Sequence, residues 1–310
     1  MNTNSYGSLR RSNDLFKWIL MIPCLAFLLY FAIIPTIFIW WVSFTRYEII
    51  QPDMPVKFVG LKNFLNVLTS KDFWGAARVT FWLSIVGPLV QLLVGLVLAL
   101  LINQIQKGRK FYTTAFLIPM MVAPTAAAFN FKTMYDANYG PINYILSIFG
   151  GSKIFWTGSS AWALPSIFIL ETWQWTPFMM ILILAAISSL PQSIYEVAAI
   201  TSNSPIKTFF YITLPLLKPI MILAFLLRFI DSFKAMDSIW VLTGGGPGGS
   251  TENLAFLTFR TGLKSFNVGF AAAMSIVQLI VIMIISTYLV KNMVRKSSDK
   301  LIEDVEESKK

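Results

Sequence analysis

Six long apolar stretches separated by polar intervals dominate the chain: about Trp18–Phe44, Val79–Ile102, Phe111–Phe131, Trp162–Leu190, Pro215–Leu242 and Val268–Val290. Each is long enough for a helix that crosses about 30 Å of hydrocarbon, which takes roughly 20 apolar residues. The first run is too long for the apolar region of a secretory leader and lacks an A-x-A-like cleavage site, so it reads as a retained anchor. The pattern predicts an all-α, polytopic membrane protein with six transmembrane helices.

The polar interval at 191–213 is patterned rather than featureless. Pro191 suits a first helical turn, and Ser193 and Glu196 have the spacing of a capping box. Ile194, Val197 and Ala198 fall on one face of that helix. Ser202-Asn203-Ser204-Pro205 breaks it, and a second short helix is expected from about Ile206 to Ile212, ended by Pro215. The small Ala198 and Ala199 would let a partner surface come close. On spacing alone, a docking element and a plain surface helix capped by Glu196 explain these residues equally well.

Composition narrows the chemistry. The chain is 56% hydrophobic and 13% charged, against about a quarter charged in soluble domains. Its net charge of +10 is explained by membrane orientation and does not call for nucleic acid. There is no histidine, and Cys24 stands alone in an apolar run. Disulfides, His/Cys zinc sites, haem attachment and iron–sulfur clusters are thereby excluded within the chain, and no metal site is expected. No G-x-x-x-x-G-K-[ST] phosphate loop occurs, so any ATP and Mg must be carried by a partner. A membrane enzyme is disfavoured by the same lack of histidine and usable cysteine, and by the lack of paired carboxylates near an interface. With the N-terminus inside, thirteen Lys and Arg fall on the cytoplasmic side and nine outside, leaving three in the fifth span. That bias puts both termini and residues 191–213 in the cytoplasm. The tail from Arg295 is polar and mixed in charge, expected to be disordered or loosely helical. The absence of an internal repeat weighs against a repeat-built secondary transporter.

Charges inside the spans are the second notable feature. Arg228, Asp231 and Lys234 recur every three residues in the fifth span, with Asp237 beyond them. Each unpaired charge at a helix centre costs about 2.5–3.5 kcal/mol, so the three must pair and face protein or water. An ion-paired seam and a lined pathway both satisfy that demand. In the fourth span Glu171, Gln174 and Trp175 share a helical face, bringing an acid, an amide and an aromatic ring together. Asn130 in the third span is a further candidate.

The segment Tyr195-Glu196-Val197-Ala198-Ala199 … Ile212-Thr213-Leu214-Pro215 resembles the EAA loop of membrane subunits in binding-protein-dependent ABC importers. Leu242-Thr243-Gly244-Gly245-Gly246-Pro247, with Thr251-Glu252, is similar to the L-T-G-G-G-P-x-x-x-T-E signature of carbohydrate importers of the maltose and glycerol-3-phosphate type, specifically the first permease of their pairs. Ile118-Pro119 … Pro124, Gly140-x-x-Asn143-x-x-Leu146 and Trp173-Gln174-Trp175-Thr176-Pro177-Phe178 extend the resemblance over about Gly75–Val290. The chain departs where the family has a glycine between the two loop helices: Ser202 stands there, and Asn203 tolerates the left-handed turn instead.

The resemblance implies a type I ABC importer permease fold with an extra N-terminal helix in the bacterial inner membrane. It divides the chain into a cytoplasmic segment 1–17, an anchor helix 18–44, a periplasmic loop 45–74, a five-helix core 75–294 and a cytoplasmic tail 295–310. It further implies a second permease, an ABC ATPase dimer and a periplasmic sugar-binding protein as partners, with Tyr195, Glu196, Ala198, Ala199 and Ser202 meeting the ATPase. Asn130, Glu171, Gln174, Trp175, Arg228 and Asp231 are the candidates for the sugar path. The competing reading is a proton- or ion-coupled secondary transporter with Glu171 or Asp231 as the coupling acid.

Overall fold

Prolines inside the apolar helices shape their course. The computed structural model describes residues 3–49, 56–201 and 204–307, with side chains described over 16–49, 56–200 and 204–291. Pro35, Pro88 and Pro215 each follow a five-residue π-helical turn, at Leu29–Ile33, Trp82–Val86 and Phe209–Thr213. A proline has no N–H, and its ring collides with the carbonyl four residues earlier. Those carbonyls belong to Phe31, Ser84 and Tyr211, the middle residue of each wide turn. Widening the turn relieves the collision and lets the helix continue.

Counting these turns within their helices, the elements are α1 (Phe16–Ser43), α2 (Lys62–Thr69), α3 (Lys71–Gln104), α4 (Arg109–Met121), α5 (Pro124–Met134) and α6 (Pro141–Ile148). They continue as α7 (Ala163–Ser189), α8 (Gln192–Thr201), α9 (Pro205–Lys234), α10 (Asp237–Leu242), α11 (Leu254–Phe259) and α12 (Val268–Glu307). The last helix runs on through the polar tail. Among the described residues the extended structure is a two-residue antiparallel pair, Thr45–Arg46 with Lys57–Phe58, and an isolated antiparallel bridge between Glu48 and Asn267. The protein is thus an all-α, multi-pass membrane protein.

Two expected spans differ in detail. The third is not one helix: α4 and α5 meet at 89° and make a sixth crossing only as a bent pair. Pro124 forces the preceding residue out of the helical region, and Ala123 has ψ 135° accordingly. The fifth ends at Lys234, not Leu242. Ala235 is extended, and its carbonyl accepts from Asn253 Nδ2 at 2.5 Å. The chain therefore leaves α9 there, and Asp237 opens α10 instead of closing the span.

The chain forms two compact units. One contains α1, most of α2 and Arg260–Val277; Asn63 Nδ2 ties its hairpin by donating to the carbonyls of Ser43 and Thr45 at 2.9 Å each. The other contains Thr69–Phe259 and the described residues from Gln278 onward, with α7 packed against α3, α4, α5 and α9. Two apolar cores stack along these helices. One gathers Val79 and Leu83 of α3 with Ile167 and Leu170 of α7 and Ile239 of α10. The other gathers Leu92 and Leu96 of α3 with Met179, Met180 and Ile183 of α7 and Leu217 of α9. Polar residues occupy the interval between them.

Helices α3 and α7 touch at Gly95, where an added Cβ would lie 2.7 Å from Met179 Cβ and 2.9 Å from the Met180 amide nitrogen. Overpacking of this kind costs about 1–3 kcal/mol. Gly95→Leu should therefore lower the amount of monodisperse protein extracted from membranes, measured by fluorescence-detected gel filtration. Gly75→Leu, placed on α3 with nothing within 4 Å, should leave it unchanged.

Candidate functional site

The interval between the cores is a charge network centred on Arg228, whose side chain is 1% exposed. Its Nη2 donates to Glu171 Oε2 at 2.5 Å, its Nη1 to Asp231 Oδ2 at 2.9 Å and its Nε to Gln91 Oε1 at 3.0 Å. Gln91 Nε2 in turn donates to the Glu171 carbonyl at 3.2 Å. Ser238 Oγ donates to the other Glu171 oxygen at 2.6 Å. The guanidinium carbon also lies 4.5 Å from the centre of the Trp175 ring, a cation–π contact. Four helices, α3, α7, α9 and α10, are thus joined through one arginine.

The sequence pairing of Arg228 with Asp231 is present, and Lys234 Nζ reaches Asp231 Oδ1 at 3.9 Å. The deeper partner is Glu171, 10% exposed on its side chain, whereas Asp231 is 45% exposed. A carboxylate that accepts from both Arg228 and Ser238 is held on both oxygens, while Asp231 keeps a solvated side.

Asp231, Lys234 and Asp237 face a cavity of about 360 Å³ that Glu171, Trp175, Arg228 and Ser238 back. Pro124, the first residue of α5 after the bend, also lines it. Four of the six expected path residues therefore converge: Glu171, Trp175, Arg228 and Asp231. Gln174 does not join them. Its Nε2 donates to the Val122 carbonyl at 2.8 Å, which the α4–α5 break leaves without a helical donor. Its Oε1 is buried with no hydrogen-bond partner among the described residues. Asn130 is exposed on α5 and not among the cavity's lining residues. Gln91 and Ser238 were missed by sequence reading. Gln91 carried a usable signal, as an amide inside an otherwise apolar span; Ser238 did not.

The glycine-rich signature supports this network from behind. Thr251, fully buried, hydroxyl-bonds Thr243 Oγ1 at 2.8 Å and donates to the Gly246 carbonyl at 3.0 Å. Gly245 has φ +86°, and an added Cβ would lie 2.8 Å from the Phe256 ring. The closed turn sets Asn253 against Ala235, which ends α9 and starts α10 where Ser238 can reach Glu171. On the 135–162 loop Asn143 accepts from the Trp156 ring N–H at 3.1 Å and donates to the Ile154 carbonyl at 2.9 Å. The exposed Asp136 accepts from the Tyr139 and Asn138 amides, which hold its carboxyl below the usual carboxylate range.

At residues 191–213 two expectations are corrected. Helix α8 starts at Gln192, so Ser193 is its second residue and not the cap of a box with Glu196. The second arm does not stop at Pro215: it starts at Pro205, capped by Ser204, and runs through the wide turn at Phe209–Thr213 into α9. Proline at 215 bends the helix path locally but falls in the first turn of the next regular stretch, where its missing N–H costs little. Ser202 lies outside the described residues. Tyr195 Oη and Thr213 Oγ1, 3.2 Å apart, tie the two arms. Ala198 is buried between them, and Glu196 and Ala199 are exposed. Val197, Ile200, Ile206 and Tyr211 also stand exposed, beside a groove of about 550 Å³ lined by Ile194, Ala198 and Ile212.

The family described as binding-protein-dependent transport system inner membrane component matches residues 64–298. The trehalose/maltose transport system permease protein MalF of Thermococcus litoralis is 37% identical over 91% of this chain and 95% of its own length. The sulfoquinovosyl glycerol transport system permease protein SmoG of Agrobacterium fabrum is 31% identical over 72% of this chain and 73% of its own. In structure, the chain is similar to a component of a bacterial ABC transporter involved in import of the acidic polysaccharide alginate. The TM-score is 0.81 at 23% identity, covering 94% of this chain and 99% of that one.

Proposed function

This chain belongs to the family of binding-protein-dependent transport system inner membrane components, and on that footing we propose that it is one of two permeases in an ABC importer for sugars. The relatives named for trehalose/maltose and sulfoquinovosyl glycerol transport support sugar as the cargo. In this reading a periplasmic binding protein delivers the sugar and the second permease completes the path. An ATPase dimer carrying ATP and Mg docks on residues 191–213 from the cytoplasm, where both termini also lie. The observation that carries it is the pairing, in one chain, of an exposed apolar helical loop with a charged cavity inside the spans. The first receives the stroke and the second is moved by it. Because α9 continues from the loop into the helix bearing Arg228 and Asp231, displacement at Pro205–Thr213 is transmitted directly to the cavity wall.

Ion-coupled transport fits less well. Both candidate coupling acids are already tied to Arg228, and Glu171 also to Ser238. The complete complex, purified with its second permease and ATPase, should hydrolyse ATP and move sugar into proteoliposomes, while this chain alone should do neither. Gradient-driven uptake by the chain alone would support the ion-coupled reading instead.

Orientation has its own test. In a Cys24→Ser background, a cysteine at the exposed Ser152 should react with an impermeant thiol reagent once the outer membrane is opened. One at the exposed Ser193 should react only after the inner membrane is lysed. The reverse pattern would invert the topology.

A further inference from the structure

Three carboxylates and two cations border the cavity between the cores, and the way they are paired decides what charge a solute there would meet. Arg228 is buried and faces two of the carboxylates, Glu171 and Asp231, with a third donor on Gln91 and its flat face over Trp175. An acidic solute is usually held by an arginine offering a free bidentate fork; here the fork is already closed on protein groups. The remaining cation, Lys234, is 68% exposed on its side chain and lies 3.9 Å from Asp231, so an anion reaching it must also approach that carboxylate. Asp237 is exposed at the same rim. The Trp175 face over which Arg228 sits is equally unavailable for stacking. What is left toward the cavity is a set of hydrogen-bond acceptors and one ammonium donor, a lining suited to hydroxyl groups.

We propose that this chain's side of the pathway selects neutral, hydroxyl-rich saccharides and turns away uronates, sulfonates and phosphates, because its three carboxylates outnumber its two cations and Asp237 pairs with neither of them. The proposal rests on the sugar-importer reading and adds the charge class of the cargo. Specificity of this type is built from a repulsive element as much as an attractive one. It weakens with salt where the charge is exposed, as Asp237 is.

The test uses the whole detergent-solubilised complex, without binding protein, and ligand-observed NMR. The probes are matched disaccharide pairs (trehalose, maltose and cellobiose, each beside the form with one 6-hydroxymethyl group oxidised to carboxylate). At low ionic strength the neutral member should bind about tenfold more tightly than its uronate. Asp237→Asn, which leaves the Arg228 network whole, should narrow that gap to about twofold. Asp231→Asn/Asp237→Asn, which leaves two cations facing one carboxylate, should close or reverse it, and the single variant guards against a double variant that fails to assemble. A uronate that binds as tightly as its neutral partner, or a gap untouched by Asp237→Asn and by added salt, overturns the proposal. An assembled, ATP-hydrolysing complex that binds and transports no saccharide overturns the sugar reading itself, a different result.

Discussion

Glu171→Gln should markedly lower the yield and thermal stability of the assembled complex. Removing that charge leaves Arg228 buried with its principal partner gone, and breaking a buried pair from one side costs about 3–5 kcal/mol. Asp231→Asn should be milder, because Asp231 is 45% exposed and Arg228 keeps Glu171. The spacing of Arg228, Asp231 and Lys234 alone would have ranked these two the other way. Replacing both ends at once separates structure from transport. Buried pairs exchanged for apolar residues of similar volume are often neutral in stability or better. Glu171→Met/Arg228→Met should therefore recover part of the lost assembly, short of the parent because Gln91 Oε1 and Ser238 Oγ lose their partners, read by gel filtration and thermal melting of the purified complex. If the network also shapes the path, sugar uptake stays lost although the complex is stable. If uptake returns with stability, the four helices needed only to be held together there. Should Glu171→Gln melt at the parent temperature, Arg228 is not relying on Glu171.

The contrast shows what the residues alone could and could not reveal. Apolar runs announced the spans because twenty consecutive hydrophobic residues have few other uses, and the charges in α9 stood out against them. Contacts within one helix were legible too: three-residue spacing brought Arg228 to Asp231 and Asp231 to Lys234. Contacts between helices were not. Glu171 is 57 residues from Arg228 and Gln91 is 137, and no periodicity encodes which helix faces which. Gln174 was misleading for the same reason: it shares the polar stretch of α7 with Glu171 and Trp175, yet turns to the carbonyl freed at Val122. That carbonyl is free because α4 and α5 separate at Ala123–Pro124, a break that the unbroken apolar run from Phe111 concealed. Pro215 was read as a stop because a soluble helix commonly ends near one. Here the wide turn at Phe209–Thr213 absorbs it.

Glu196→Gln should uncouple ATP hydrolysis from uptake, or weaken ATPase binding, nearly as severely as Glu196→Ala. Had Glu196 closed a capping box, glutamine would have served almost as well, and alanine would have cost about 1 kcal/mol of helix stability. The helix begins at Gln192, two residues too early for Ser193 to be the cap, and Glu196 stands exposed on it. A local role is thereby reduced, since alanine at an exposed helical position is if anything favourable. What remains is the charge itself, carried beside the exposed Val197 and Ile200 on the surface proposed to meet the ATPase. An acid that becomes enclosed there against a basic group would lose about 2–5 kcal/mol on neutralisation, largely by stranding its partner. At 1.4 kcal/mol per tenfold, even the lower figure is more than an order of magnitude in affinity. The measurement is co-purification of the ATPase with the permease pair, together with the ratio of sugar moved to ATP hydrolysed in proteoliposomes. Gln192→Ala, exposed at the start of the same helix, serves as the control and should leave both readouts near the parent values. If Glu196→Gln matches the parent while Glu196→Ala fails, the loop needs an acceptor and not a charge, and the docking role assigned to Glu196 is wrong.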